Sequence, residues 1–158
     1  MRIFTVLFGF LSPVMLAIAA DAPRNIYAAG VAWNQSASPR IAGTGLYARA
    51  VNDSGTYAFT AVDVLPTTVK PLSVTTQIST GVAQRVFTIG GVAVYVPTSV
   101  GISYNGEATG WAWTTGALAS VRVKGNSRVM PNVRVVKSSV SNNSGYQLIL
   151  GALFGWGQ

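Results

Sequence analysis

The side chains able to do chemistry in this 158-residue chain are few, and most carry one sign of charge. His and Cys are absent, and Asp21, Asp53, Asp63 and Glu107 are the only acids against 11 Lys and Arg. No imidazole is available as a general base, and the nitrogen and sulfur ligands that zinc prefers are missing. Hydrolysis by paired carboxylates would have to draw on four acids scattered along the chain. The sequence therefore predicts a protein that is not an enzyme and needs no metal or cofactor, held together without disulfides.

The positive charges have a pattern. Arg49, Arg85, Arg122, Lys124 and Arg128 each stand within a few residues of a tight Gly-containing turn, at Asp53-Ser54-Gly55, Gly90-Gly91 or Gly125-Asn126-Ser127. Gathered at one end of a closed sheet, with alternation pointing most of them inward, they would form a basic collar with Asp53 as the only acid nearby. Such a collar either plugs a narrow interior or makes an anion-attracting vestibule. Nucleic acid is a poor partner for it, because the charges come about one per strand and do not form a patch with exposed aromatics. Gly90-Gly91 is not followed by a helix, so it does not read as a phosphate cradle.

A third set is aromatic: Tyr27, Trp33, Trp111, Trp113, Tyr146, Phe154 and Trp156. They share the apolar faces of their segments and lie near segment ends, the placement of an interfacial belt rather than a carbohydrate platform.

The elements that must carry these residues begin behind an export signal. Met1-Arg2, the apolar run Ile3 to Leu16 and the small residues Ala17 to Ala20 read as a secretory signal peptide over residues 1–20, an uncleaved anchor being the rival reading. That leaves residues 21–158 for one domain that is poor in charge, 9% over the whole chain, and yet 49% hydrophobic. Few charges over so apolar a chain suggest an outside that does not face water. From Leu72 to Thr88 the even positions are mostly apolar or β-branched and the odd ones small or polar. The same alternation places Val94 and Val121 on the apolar face and Ala93 and Ser120 on the small one.

Period-2 segments of this kind can be drawn from Asn25 to Trp156 as eight strands in four up-and-down pairs, several of 10 residues or more. That length suits a bilayer crossing, for which about 9 to 11 residues are needed, better than a soluble sandwich with strands of about 5 or 6. One hairpin recurs: Thr80-Gly81, Val86, Gly90, Val94 and Pro97 return as Thr115-Gly116, Val121, Gly125, Val129 and, after a one-residue slip, Pro131. Pro97 and Pro131 fall inside strands, where a missing N–H donor points to bulges.

The T-G-x-strand-turn-strand hairpins and the closing segment YQLILGALFGW make the chain resemble the small eight-stranded outer-membrane β-barrels of Gram-negative bacteria, the OmpA/OmpX type, over essentially the whole mature length. The resemblance implies an all-β, antiparallel, up-and-down transmembrane barrel in the cell outer membrane. Its partners would be outer-membrane lipids and the barrel-insertion machinery, which reads an aromatic residue at the end of such chains, here Trp156. The role it implies is structural, or porin-like passage of small solutes, with anions favoured by the collar. The alternative is a soluble secreted or periplasmic β-barrel or sandwich that binds a small ligand.

Overall fold

A computed structural model describes residues 23–35, 41–66, 74–140 and 146–158. The expected signal peptide over residues 1–20 and Asp21 lie outside the described residues, as do parts of three connections at 36–40, 67–73 and 141–145. Eight strands follow in order: β1 (Asn25–Asn34), β2 (Ile41–Ala50), β3 (Thr56–Pro66), β4 (Val74–Ile89), β5 (Val92–Tyr104), β6 (Thr109–Lys124), β7 (Ser127–Ser138) and β8 (Tyr146–Gly157). Each pairs antiparallel with its neighbours in sequence, and β8 pairs with β1 to close the barrel. The turns at 51–55, 90–91 and 125–126 lie at one end with both strand termini, here the turn end; the other is the loop end. Gly90 and Gly91 both have positive φ, 55° and 83°, as a two-residue turn matched to strand twist requires.

The register sets the barrel's width. Followed once round, Asn25 leads to Arg49, Ala58, Val82, Thr98, Thr115, Val135 and Leu148, and the last of these accepts the backbone N–H of Gln35. The circuit returns to β1 ten residues above its start, a shear that tilts the strands by roughly 40° and gives a backbone radius of about 8 Å. So narrow an interior has room for side chains and little else.

Alternation assigns the faces. Val31, Ile78, Val82, Val100, Ile102 and Leu150 are exposed, while Ala32, Ser79, Ser99, Ser103 and Ile149 between them are buried inside. Polar residues in the interior and aliphatic residues on the exterior invert the arrangement of a water-soluble protein.

The two recurring hairpins, β4–β5 and β6–β7, each carry a bulge near the turn end, between Arg85 and Phe87 and between Arg122 and Lys124. The expected bulges at Pro97 and Pro131 are not where the register shifts. Instead the ladders lapse there and resume unshifted: β5–β6 passes from Tyr95↔Leu118 to Thr98↔Thr115, and β6–β7 from Leu118↔Asn132 to Val121↔Val129. Pro97 stays paired with Ala83 on β4 and Pro131 with Ala152 on β8, so both donorless edges face β6. The one-residue slip in the repeat has a consequence here, since it turns Pro97 inward and Pro131 outward.

Gly81 and Gly116, equivalent in the repeat, sit where the neighbouring strand's backbone approaches too closely for a side chain, as do Gly30 and Gly101. A Cβ at Gly81 would overlap the carbonyl oxygen of Thr98, and one at Gly116 that of Val133. Substituting either with Val is expected to cost about 1–3 kcal/mol by overpacking, seen as a lower urea midpoint for loss of the folded barrel band. An unchanged midpoint would show that the strands separate at no cost.

Candidate functional site

The interior is layered. At mid-height Arg134 on β7 reaches across to Asp63 on β3, the strand diametrically opposite. Its Nη1 donates to both carboxylate oxygens at 2.9 and 3.2 Å, and its Nη2 donates to the Thr44 hydroxyl at 2.8 Å. Thr44 donates in turn to Asp63 Oδ1 at 2.6 Å, so three strands are tied across the lumen. Asp63 is 1% exposed and Arg134 8%. Above this, toward the loop end, Gln77 donates to Thr114 at 3.0 Å and Asn34 to Gln147 at 2.8 Å, among Ala32, Ala42, Leu65, Val136 and Ile149. Buried polar groups cost free energy unless bonded, and these bonds largely meet that demand while closing the bore.

Below the ion pair the interior is apolar. Ile26, Phe59, Tyr95, Met130 and Leu153 are buried together, with Leu46, Ala83 and Leu118 packed against them. Tyr57 meets Tyr95 edge-on at 5.7 Å between centroids and donates its hydroxyl to the Pro23 carbonyl at 2.8 Å. This packing leaves a cavity of about 60 Å³.

The five collar residues separate into two groups. Arg85, paired with inward Tyr95, and Arg128, paired with inward Gly155, face the interior at the turn end, and Arg122 is opposite Arg128. Arg85 Nη2 donates to Ser54 O at 3.1 Å, Arg122 Nε to Gly125 O at 2.7 Å, and Arg128 Nη1 to Ser120 Oγ at 3.2 Å. Arg24, Arg122 and Arg128 border a groove of about 330 Å³ at this end. Arg49 and Lys124 correct the expectation of a five-membered collar. Arg49 keeps the outward parity of Tyr47 and pairs with Asn25 and Ala58. Lys124 would have kept Arg122's face, but the bulge at Val123 flips it opposite Ser127, which shares the outer face with Trp156.

All seven aromatics face outward, in two groups. At the turn end Tyr27 stacks on Trp156 at 5.7 Å and meets Tyr47 at 5.0 Å, with Phe154 above. Trp33, Trp111, Trp113 and Tyr146 stand toward the loop end, and Lys137 lies over the Trp111 and Tyr146 rings at 6.0 and 5.1 Å. Tyr146 and Trp156 are ten residues apart on β8, a height of about 25 Å at this tilt, which is that of the apolar band of a membrane barrel. Tyr47, Tyr104 and Lys137 extend these girdles and were legible from parity alone. Asp63 with Arg134 was also missed; the signal was the lone acid inside a strand, matched by an arginine at an inward position.

Among the described residues no three His, Cys, Asp or Glu side chains come together as a metal site. No helix is long and apolar enough to cross a membrane, which says nothing of strands.

No family model matches the sequence, and neither does any curated protein. Solved structures do match. The backbone structure of the Yersinia pestis outer membrane protein Ail, in a phospholipid bilayer nanodisc, aligns with a TM-score of 0.52 at 13% identity, covering 85% of this chain and all of that one. A chain from the de novo design of transmembrane β-barrels aligns with a TM-score of 0.50 at 17% identity, covering 85% of this chain and 98% of that one. At such identities the likeness is one of architecture: this chain has the fold of the small eight-stranded transmembrane β-barrels.

Proposed function

We propose that the protein is exported, inserted in the outer membrane by the barrel-insertion machinery, and serves there as a closed structural barrel rather than a pore. The observation that carries this is the inverted polarity of the wall: an aliphatic outer band between two aromatic girdles, around an interior tied shut by Asp63, Arg134 and Thr44. Arg85, Arg122 and Arg128 then form a vestibule at the periplasmic mouth that draws anions without passing them.

Two measurements test this. The protein should require detergent for extraction and give a gel band that shifts on heating; recovery in the soluble periplasm or medium would overturn the membrane reading. In planar bilayers no sustained current is expected. Any residual current should favour anions, weaken with salt and lose its preference in the Arg85→Gln/Arg122→Gln variant. A steady cation-selective current would remove both the plug and the vestibule.

A further inference from the structure

We infer that the turn half of the lumen takes the end of a lipid acyl chain, which enters sideways from the bilayer through the wall beside β6. The inference rests on the membrane reading and adds a ligand and a route to it.

The first observation is the cavity. Its lining atoms are almost all carbon, from side chains such as Phe59, Tyr95, Leu118, Met130 and Leu153. At about 60 Å³ it has room for about four water-sized groups at ~15 Å³ each, the bulk of a short run of methylenes. Asn132 and Arg134 of this lining bury an Oδ1 and an Nε without a partner, but almost no polar surface faces the space, and a space walled by carbon favours an apolar occupant. Neither mouth offers one. The Asp63–Arg134–Thr44 network closes it toward the loop end, and Arg85 and Arg128 stand between it and the turn end.

The second observation is independent and lies in the wall. The two lapses in hydrogen-bonded pairing flank one stretch of one strand, Gly116 to Ser120 of β6, where Pro97 and Pro131 present no donor from either side. Pro97, Leu118, Ser120 and Met130 at these lapses also line the cavity, so the weakened wall and the apolar space share a level. The Pro97 carbonyl accepts from the Thr115 side-chain hydroxyl at 3.1 Å, which does not replace the N–H that Pro97 lacks. Elsewhere opening a barrel wall breaks paired backbone groups in hydrocarbon, at high cost. Beside β6 several of those bonds are already absent. Hydrocarbon is what surrounds the wall there, and Arg49 on the outer face at the turn end suits the phosphates of that leaflet.

The test uses the protein, perdeuterated with protonated Met, Leu, Ile and Val methyls, in dimyristoylphosphatidylcholine nanodiscs, and reads nuclear Overhauser contacts from those methyls to chain methylenes. The outward methyls of Val31 and Val100 should show contacts, those of Val136 and Ile149 inside the loop half none, and the inward Met130 and Leu118 methyls should show them too. Filling the cavity with Ala83→Phe should abolish the Met130 contacts, and restoring donors with Pro97→Thr/Pro131→Thr should weaken them severalfold, each with the heat-shifted band retained. Contacts at Val31 and Val100 with none at Met130 would overturn the inference and leave the membrane reading standing; no contacts anywhere would overturn both. Met130 contacts unchanged in either folded variant would also overturn it. If neither variant folds, the comparison of Met130 with Val136 decides.

Discussion

Replacing Asp63 with Asn is expected to destabilise the barrel by about 3–5 kcal/mol, the largest effect of any single substitution considered. The amide keeps the size and one acceptor but removes the charge that Arg134 faces, and a guanidinium does not shed its proton to escape. Arg134 would remain ionised at 8% exposure in the middle of a narrow bore, with only neutral cross-lumen acceptors, the amide oxygen and the Thr44 hydroxyl. The double variant Asp63→Leu/Arg134→Met removes both charges and is expected to recover most of the loss, since burying an ion pair costs desolvation that an apolar pair does not. Urea titrations followed by the heat-shifted band would measure both. A loss below about 1 kcal/mol for Asp63→Asn would show that water reaches Arg134, and the lumen would then be open rather than plugged.

The second large effect is on the outside. Val100 lies in the middle part of β5 and is 61% exposed on the outer face. Changing it to Arg should cost about 2–4 kcal/mol in a bilayer, where the guanidinium must snorkel or thin the membrane, whereas Ser99→Asn on the inner face should cost about 1 kcal/mol or less. The choice of position matters. Val94 and Val121 also face outward, but beside the bulges at the turn end, so arginine there should cost only about 0–1 kcal/mol. Folding titrations in lipid vesicles check the set. Equal tolerance at Val100 and Ser99 would mean that no hydrocarbon surrounds the barrel.

The alternation from Val74 to Arg85 needed no tertiary information to assign faces, because successive side chains of a strand point to opposite sides whatever the strand pairs with; Leu72 and Ser73 lie outside the described residues, and past Arg85 the bulge reverses the expected parity, leaving Phe87 exposed outside and Thr88 paired with Ala93. Strand count, up-and-down order, the turns at Gly90-Gly91 and Gly125-Asn126, the outward aromatics and the inverted polarity were legible for the same reason. Each depends on residues within a few positions of one another. The collar was legible only in part. Arg49 followed a parity that runs unbroken from Ile41, whereas Lys124 changed sides at a bulge that no turn residue announces.

What the tertiary structure decided is everything that depends on the shear. Only the ten-residue offset on closing the barrel sets Asp63 and Arg134 at one height on opposite walls, and only the register of three strands together brings Pro97 and Pro131 to bear on the same stretch of β6. Local periodicity fixes which face a side chain is on. Which side chain stands across from it is a property of the closed circuit, summed over every strand, and it cannot be read from any one of them.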